Sequence, residues 1–444
     1  MTKTVIIGSN HAGIAAGNAL LDNFKDQEVV MIERNSNFSY LSCGTALWVG
    51  RQIEEVDGLF YTNRDDFEAK GAKVYLETAV DHVDFENKTV HCVTITGEEI
   101  VETYDKLVLA TGSVPISPNI PGRELKNITF MKKFQEGQFI DSLLAQDEFQ
   151  NIAVVGAGYI GVEMAEAAKR RGKNVLLFDL ADRTLPSYYD REFTDKMDQN
   201  LLEHGIEMHL GEMVQEYKGT DKVESLVTDK GEYAVDLVIN AIGFAPNSEL
   251  GKNDLELFVN GAYLVDRHQQ TSNPDVYAVG DCATVYSNAL QDTAYIALAT
   301  NAVRTGMVAG QNIGGKPIES PGVQGSNGIS IFGYNMVSTG YSVESAVRFG
   351  LNVKHTDFED TQKPAFMKNN DSVQLRIVYD ADTRRIVGAQ MASTTSEISM
   401  AIHMFSLAIA KGVTVDELAL LDLFFLPHFN QPYNYINKAA LAAE

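Results

Sequence analysis

The sequence predicts an α/β fold in which one strand–turn–helix–strand unit is built twice, followed by an α+β segment. Three observations predict it. Thr4-Val5-Ile6-Ile7 is a short apolar strand that runs into a glycine turn and a helix-forming stretch, and the same order returns at residues 152–155. Past residue 325 the pattern changes to strands near 329–332 and 374–379 and one apolar helix over 397–411. At roughly 150 residues per domain, a chain of 444 residues suits about three domains.

In the first unit the strand passes through Gly8-Ser9-Asn10-His11-Ala12-Gly13 into a helix over 12–21 and a second strand over 28–33. A connecting segment follows, with β-prone runs at 73–76, 80–85, 89–95 and 107–110, closed by Ala110-Thr111-Gly112-Ser113-Val114-Pro115. The second unit reads strand 152–155, turn Gly156-Ala157-Gly158-Tyr159-Ile160-Gly161, helix through Arg171 and strand 174–179. Beyond Ile239 come Gly243-Phe244-Ala245-Pro246-Asn247, a run from Thr271 to Asp281 that ends Ala278-Val279-Gly280-Asp281, and a helical pattern over 294–312. Turns at Gly314-Gly315-Lys316-Pro317 and Pro321-Gly322 mark the next boundary.

Composition excludes several classes. Sixty acidic residues against 36 basic ones give a formal net charge of −24, which repels a phosphate backbone, so nucleic acid is not expected as a partner. No apolar run is long enough to cross a bilayer, and the apolar start is broken at Gly8, so neither a membrane span nor a signal peptide is expected. The three cysteines, Cys43, Cys92 and Cys282, lie far apart, which excludes a disulfide scaffold, a zinc knuckle and a CxxC pair. A reduced, cytoplasmic protein without a metal site is expected.

The glycine turns carry the chemistry. In the second unit Gly156 permits a tight turn, Gly158 lets a pyrophosphate approach the backbone, and Gly161 allows close helix–strand packing. The following helix then offers free amides to phosphate. Asp179 lies 18 positions after Gly161 at a strand end, where a carboxylate accepts ribose hydroxyls and repels a 2′-phosphate, so NADH is expected over NADPH. The first unit has Asn10 in place of the second glycine, but Glu33 stands 20 positions after Gly13, at the matching strand end. Each unit therefore reads as a Rossmann-like dinucleotide site, and two units imply two nucleotides.

Together the first unit, Ala110-Thr111-Gly112, the central turn and the run ending at Asp281 resemble the two-dinucleotide flavoprotein reductases related to glutathione reductase, over the whole chain. The resemblance implies a discontinuous FAD-binding domain (1–114 and 245–322), an NADH-binding domain (115–244) and a C-terminal dimerisation domain (323–444). It places FAD on Gly8, Asn10, His11, Ala12, Gly13, Glu33, Cys43, Ala110, Thr111, Gly112, Asp281 and Ala299. It places NADH on Gly156, Gly158, Tyr159, Ile160, Gly161, Asp179 and Gly243, with Tyr159 as an aromatic gate over the flavin. The start of the 294–312 helix is expected to aim amides at the flavin's pyrimidine edge.

Three stretches narrow the resemblance: Ser9-Asn10-His11-Ala12-Gly13, the run Tyr40-Leu41-Ser42-Cys43-Gly44-Thr45-Ala46-Leu47-Trp48-Val49-Gly50, and Leu423-Phe424-Phe425-Leu426-Pro427-His428-Phe429. They look like those of the water-forming NADH oxidases, a subgroup close to the NADH peroxidases and coenzyme A-disulfide reductases, which use one redox cysteine where the dithiol reductases use two. Cys43 is the match, and with no resolving cysteine nearby its sulfenic acid cannot close an internal disulfide and has to be reduced by the flavin. Reduction of O2 to two waters takes four electrons and NADH brings two, so Cys43 would hold the intermediate oxidation state.

His11 matches the histidine that the subgroup sets beside this cysteine, able to stabilise thiolate and sulfenate or protonate departing hydroxide. Cys43 opens a helix at Thr45, a setting that favours a lowered thiol pKa. Glu163, one turn into its helix, reads either as a hydrogen-bonding group near the flavin or as a complement to the helix N-terminus. His428 reads either as reaching a partner subunit's active site or as interface packing. Cys92 and Cys282 read as packing residues. Of the alternatives, an NADH peroxidase would keep His11 and Cys43. A coenzyme A-disulfide reductase would carry a tyrosine near Phe424-Phe425, and a non-catalytic redox sensor would not turn over NADH.

Overall fold

Two parallel five-stranded sheets, one antiparallel five-stranded sheet and four smaller antiparallel sheets make up the computed structural model, which describes residues 1–444. The first sheet has the order Val276–Ala278, Lys106–Leu109, Thr2–Ile7, Gln27–Ile32, Lys73–Tyr75, with Val5 paired to both Val30 and Leu107. The second has the order Glu207–Leu210, Asn174–Asp179, Asn151–Val155, Leu237–Asn240, Ile128–Phe130. Their middle strands are buried along nearly their whole length because helices and further strands cover both faces, which is why they read as unbroken apolar runs.

The C-terminal sheet is antiparallel, in the order Asn327–Ile331, Tyr334–Gly340, Ile386–Ser393, Ser372–Asp380, Val353–Thr361, with the helix Ile398–Lys411 packed on it. Sequence periodicity gave only two of these strands. Ile386–Ser393 is buried at every position, so it lacks the alternation that marks a half-buried strand.

The structure corrects the helix expected over 294–312. It begins at Ala299 and ends at Ile313, because Asp292–Ala294 pairs with Val285–Ser287 as a hairpin. This helix lies along His11–Asn23 with their N-termini together. Small residues make that possible: a Cβ on Gly306 would strike the Ala12 carbonyl, and one on Gly310 would strike Ala16 and Ala19. Both helices thus deliver their first turns to one place beside Gly280, where a Cβ would meet Ala12 and Ala302.

The C-terminal and central sheets are fastened at Asp190. Its carboxylate accepts from Gln390 Nε2 at 2.6 Å and from the Val343 and Glu344 amides at 3.1 Å each, and it meets the Arg376 guanidinium at 3.2 Å. Asp190 and Arg376 are almost fully buried, and Arg376 also pairs with Asp357 and Glu192.

Candidate active site

Both glycine turns are built alike. Gly8 and Gly156 have φ of 110° and 103°, a region that disfavours side chains, and each abuts a neighbouring strand's carbonyl. A Cβ on Gly13 would strike the Gly8 carbonyl, and one on Gly161 the Gly156 carbonyl. The position between differs. Gly158 is the N-cap of Tyr159–Arg170 with extended backbone, and Asn10 occupies the same place before His11–Asn23. An L-residue adopts that conformation without strain, which explains how Asn10 replaces a glycine. A Cβ at Gly158 or at Gly112 would meet nothing within 4 Å, so both leave open space for a ligand.

The strand-end acids tie down these turns. Asp179 accepts from the Ala157 amide at 2.5 Å and the Ala181 amide at 2.7 Å, leaving lone pairs on both oxygens for ribose hydroxyls. Glu33 accepts from the Ser9 amide and hydroxyl at 3.0 and 3.1 Å and from the Asn35 amide and side chain at 2.9 and 2.8 Å. Those four donors fill its lone pairs, so a ribose hydroxyl there has to displace a mobile donor such as the Ser9 hydroxyl.

Across the first unit, Thr111 donates to the Asn247 carbonyl at 2.5 Å while the Asn247 amide donates to the Gly112 carbonyl at 2.9 Å. Asp281 accepts from Ser113 Oγ at 2.8 Å and meets Lys132 Nζ at 3.3 Å, and Lys132 also lies 4.6 Å over the Phe244 ring. Ala299 opens its helix with no side-chain cap, so the amides there are free to face an anion. Two uncapped helix N-termini, carboxylates at a strand end and at Asp281, and the open cradle at Gly112 form a donor set that fits a dinucleotide bearing a ribityl chain.

Cys43 sits in a short 3-10 turn, Ser42–Gly44, ahead of the helix Thr45–Val49. Although its surface is exposed, the surrounding protein raises the thiol pKa, with burial as the main cause, then the carboxylates of Glu163 and Asp281; Lys132 opposes them. The expected lowering is therefore overturned. Cys43 precedes a helix of only five residues and lies in the field of two carboxylates from distant segments.

Glu163 is corrected as well. It lies in the second turn of its helix, beyond reach of the N-terminal amides, and burial together with Glu166 pushes its carboxyl up to about 7. Glu163→Gln removes a charge that disfavours the thiolate, so the midpoint of Cys43 alkylation by iodoacetamide against pH should move down in the reduced protein. A midpoint that stays or rises contradicts this coupling.

His11 is the first residue of its helix. No hydrogen bond joins it to Cys43; instead both sense the same Asp281–Lys132 pair. Its Nδ1 meets the Tyr61 hydroxyl at 2.8 Å, its Nε2 is buried with no protein partner, and desolvation lowers its pKa. Tyr159 is pinned by its hydroxyl to Tyr189 at 2.7 Å and to Asn327 of the C-terminal sheet, and Tyr188 packs edge-on against its ring. Gly243, with φ of 112°, follows the strand Leu237–Asn240.

Cys92 and Cys282 are buried, and Cys282 donates to the Leu109 carbonyl at 3.2 Å, as packing residues do. His428 is exposed, its ring without a hydrogen bond in the chain, among the exposed Phe424, Phe425, Phe429 and Tyr433. No group of side chains here could hold a metal ion, and no helix is long and apolar enough to cross a membrane. Tyr61, Lys132, Tyr188, Tyr189 and Asn327 were missed by sequence reasoning; none sits in a spaced motif.

Comparison with known proteins agrees with this geometry. The model of the pyridine nucleotide-disulphide oxidoreductases matches residues 2–306, and that of the family's dimerisation domain matches residues 328–434. The chain belongs to this family. The oxidoreductase is 62% identical to an NADH oxidase of Lactococcus lactis subsp. cremoris, over all of both chains. It superposes on the water-forming NADH oxidase from Lactobacillus brevis bound to NADH with a TM-score of 0.96 and 37% identity, covering 100% of this chain and 98% of that one. An engineered NADPH oxidase derived from that enzyme, bound to NADPH, matches equally, at TM-score 0.96 and 37% identity over 99% and 98% of the chains. General likeness therefore does not separate the two nucleotides, and the choice falls to local groups such as Asp179.

Proposed function

We propose that this oxidoreductase is an FAD-dependent NADH oxidase that reduces O2 by four electrons to two waters, with Cys43 cycling between thiol and sulfenate. The observation that carries the reading is Cys43 itself: the other two cysteines are buried, and this one lies in the field of Asp281, Lys132 and Glu163 where the two nucleotide units meet. FAD, when bound, would supply the chemistry that links hydride from NADH to the reduction of oxygen and of the sulfenate.

The protein's residues do the rest. Glu33, Asp281 and the turn from Gly8 hold one dinucleotide, while Asp179 and the turn from Gly156 hold the other and favour NADH over NADPH. Tyr159 closes over the site where they meet. The Cys43 thiolate attacks one oxygen of hydrogen peroxide, the O–O bond breaks, and the departing hydroxide takes a proton to leave as water. Two electrons from a second NADH return the sulfenate to thiolate, and its oxygen leaves as the second water after protonation. His11 donates hydrogen bonds to the oxygens involved. The resting place is the reducing cytoplasm, which suits three unpaired cysteines, and the active form is a homodimer, which suits the exposed Phe424–Tyr433 stretch and the matched dimerisation domain.

The test is the stoichiometry of NADH to O2 consumed by FAD-loaded protein, with peroxide assayed alongside. Two NADH per O2 without peroxide is expected. One NADH per O2 with accumulating peroxide, or turnover only with added H2O2, would replace the reading by a peroxide-forming oxidase or a peroxidase.

A further inference from the structure

We infer that Tyr61 fixes the tautomer of His11 and supplies, through its ring, the proton taken by the oxygen leaving during peroxide cleavage at Cys43. The inference rests on the assignment of Cys43 and His11 above and adds the source of the proton.

Three observations carry it. The Tyr61 hydroxyl lies 2.8 Å from His11 Nδ1, with the two rings stacked at 5.5 Å and 10°. His11 Nε2 is buried and bonds to no protein group. On the other side, a cleft of about 360 Å³ between the helices His11–Asn23 and Ala299–Ile313 has His11 and Tyr61 in its wall, with the polar side chains of Asn18, Asp22 and Gln311 along it; Tyr61 itself is 49% exposed. One edge of the imidazole is therefore dry and the other is backed by a phenol in contact with water.

A phenol meeting a neutral imidazole nitrogen donates to it, because the ring nitrogen is the better base. Nδ1 is then the acceptor and Nε2 carries the hydrogen, pointing into the buried side. The charged groups that act on the ring are Asp281 and Lys132, whose effects oppose each other, and desolvation keeps the ring neutral. A neutral imidazole has no spare proton, so it relays one. As hydroxide leaves the peroxide, the Nε2–H proton passes to it to form water, Nδ1 takes the Tyr61 proton, and the phenolate remains. Transfer from a phenol held at about 12 to hydroxide runs downhill. The sulfenic acid formed on Cys43 then gives its proton to Nε2 while Nδ1 returns its own to the Tyr61 phenolate, which restores the starting tautomer and leaves Cys43 as sulfenate; no electrons move in these steps. Tyr61 thus acts as a positioning residue, since it reaches the reacting oxygen only through His11.

The experiment uses FAD-loaded full-length protein labelled with 15N-histidine, the His11 signals being assigned by their loss in His11→Gln. Wild type should show His11 as the Nε2–H tautomer. Tyr61→Phe keeps the stacked ring but should mix the tautomers and slow anaerobic consumption of H2O2 by NADH-reduced enzyme by about tenfold or more, leaving flavin reduction by NADH unchanged. In a His11→Gln background it should add nothing. A wild-type Nδ1–H tautomer, or a Tyr61→Phe enzyme that consumes peroxide at the wild-type rate while His11→Gln is slow, overturns the inference alone. A His11→Gln enzyme at the wild-type rate overturns the role of His11 itself, and the inference with it.

Discussion

Cys43→Ser should convert the enzyme from a consumer of two NADH per O2 to a consumer of one, releasing one H2O2 for every O2. The serine hydroxyl is close in size to the thiol, and Thr45 would still bond to the Ser42 carbonyl at 2.8 Å, so the turn that carries residue 43 keeps its shape. What is lost is chemical. An alcohol is far less acidic and less nucleophilic than a thiol and does not attack the peroxide bond, so the second pair of electrons has no acceptor in the site. NADH oxidation continues because hydride transfer from NADH to the flavin does not require the sulfur. The measurement is simultaneous NADH absorbance, oxygen electrode and peroxide assay; a variant that still makes water without peroxide would remove Cys43 from the mechanism.

Asp179→Ala should cost kcat/KM for NADH about 10- to 100-fold, the value of losing one or two hydrogen bonds to a charged acceptor. Two losses coincide. The ribose hydroxyls lose their acceptor, and the Ala157 amide, which Asp179 accepts at 2.5 Å, loses the partner that holds the glycine turn in shape. NADPH should suffer less, since the same change removes the repulsion of its 2′-phosphate, so the ratio of the two kcat/KM values should move toward one. Steady-state kinetics with both nucleotides decide it: an unchanged ratio would mean that another group discriminates.

The parts of the site legible in the sequence are those encoded locally. The glycine turns, Glu33 and Asp179 follow one another within a single strand–helix–strand unit, so spacing alone locates them. Cys43 and His11 were legible only through resemblance, because neither residue type nor spacing distinguishes them from a packed thiol or a helix-opening histidine. Their environment was not legible. The raised thiol depends first on burial and then on Glu163 and Asp281, which lie more than a hundred positions away, and the orientation of His11 depends on Tyr61, which no motif marks. The fold was legible just as unevenly. Parallel strands announced themselves by apolar runs beside helices, whereas the start of the Ala299–Ile313 helix was misplaced because a local hairpin takes up Ala294 and the next four residues are not helical.

The buried pairing of Asp190 with Arg376 bears on how freely this enzyme can be rebuilt from parts. The central unit looks like an interchangeable cassette, a complete strand–helix framework with its own glycine turn and terminal acid. Yet it carries half of an ion pair whose other half belongs to the C-terminal sheet. Arg376 keeps Asp357 of its own sheet, but a chimaera that exchanges the C-terminal sheet strands the Asp190 carboxylate in the interior, at about 3–5 kcal/mol, a large part of what holds a domain folded. Transplanting nucleotide preference between such enzymes by whole-segment grafting is therefore confined to partners that bring a matching acid and guanidinium, while changes around Asp179 leave that constraint untouched.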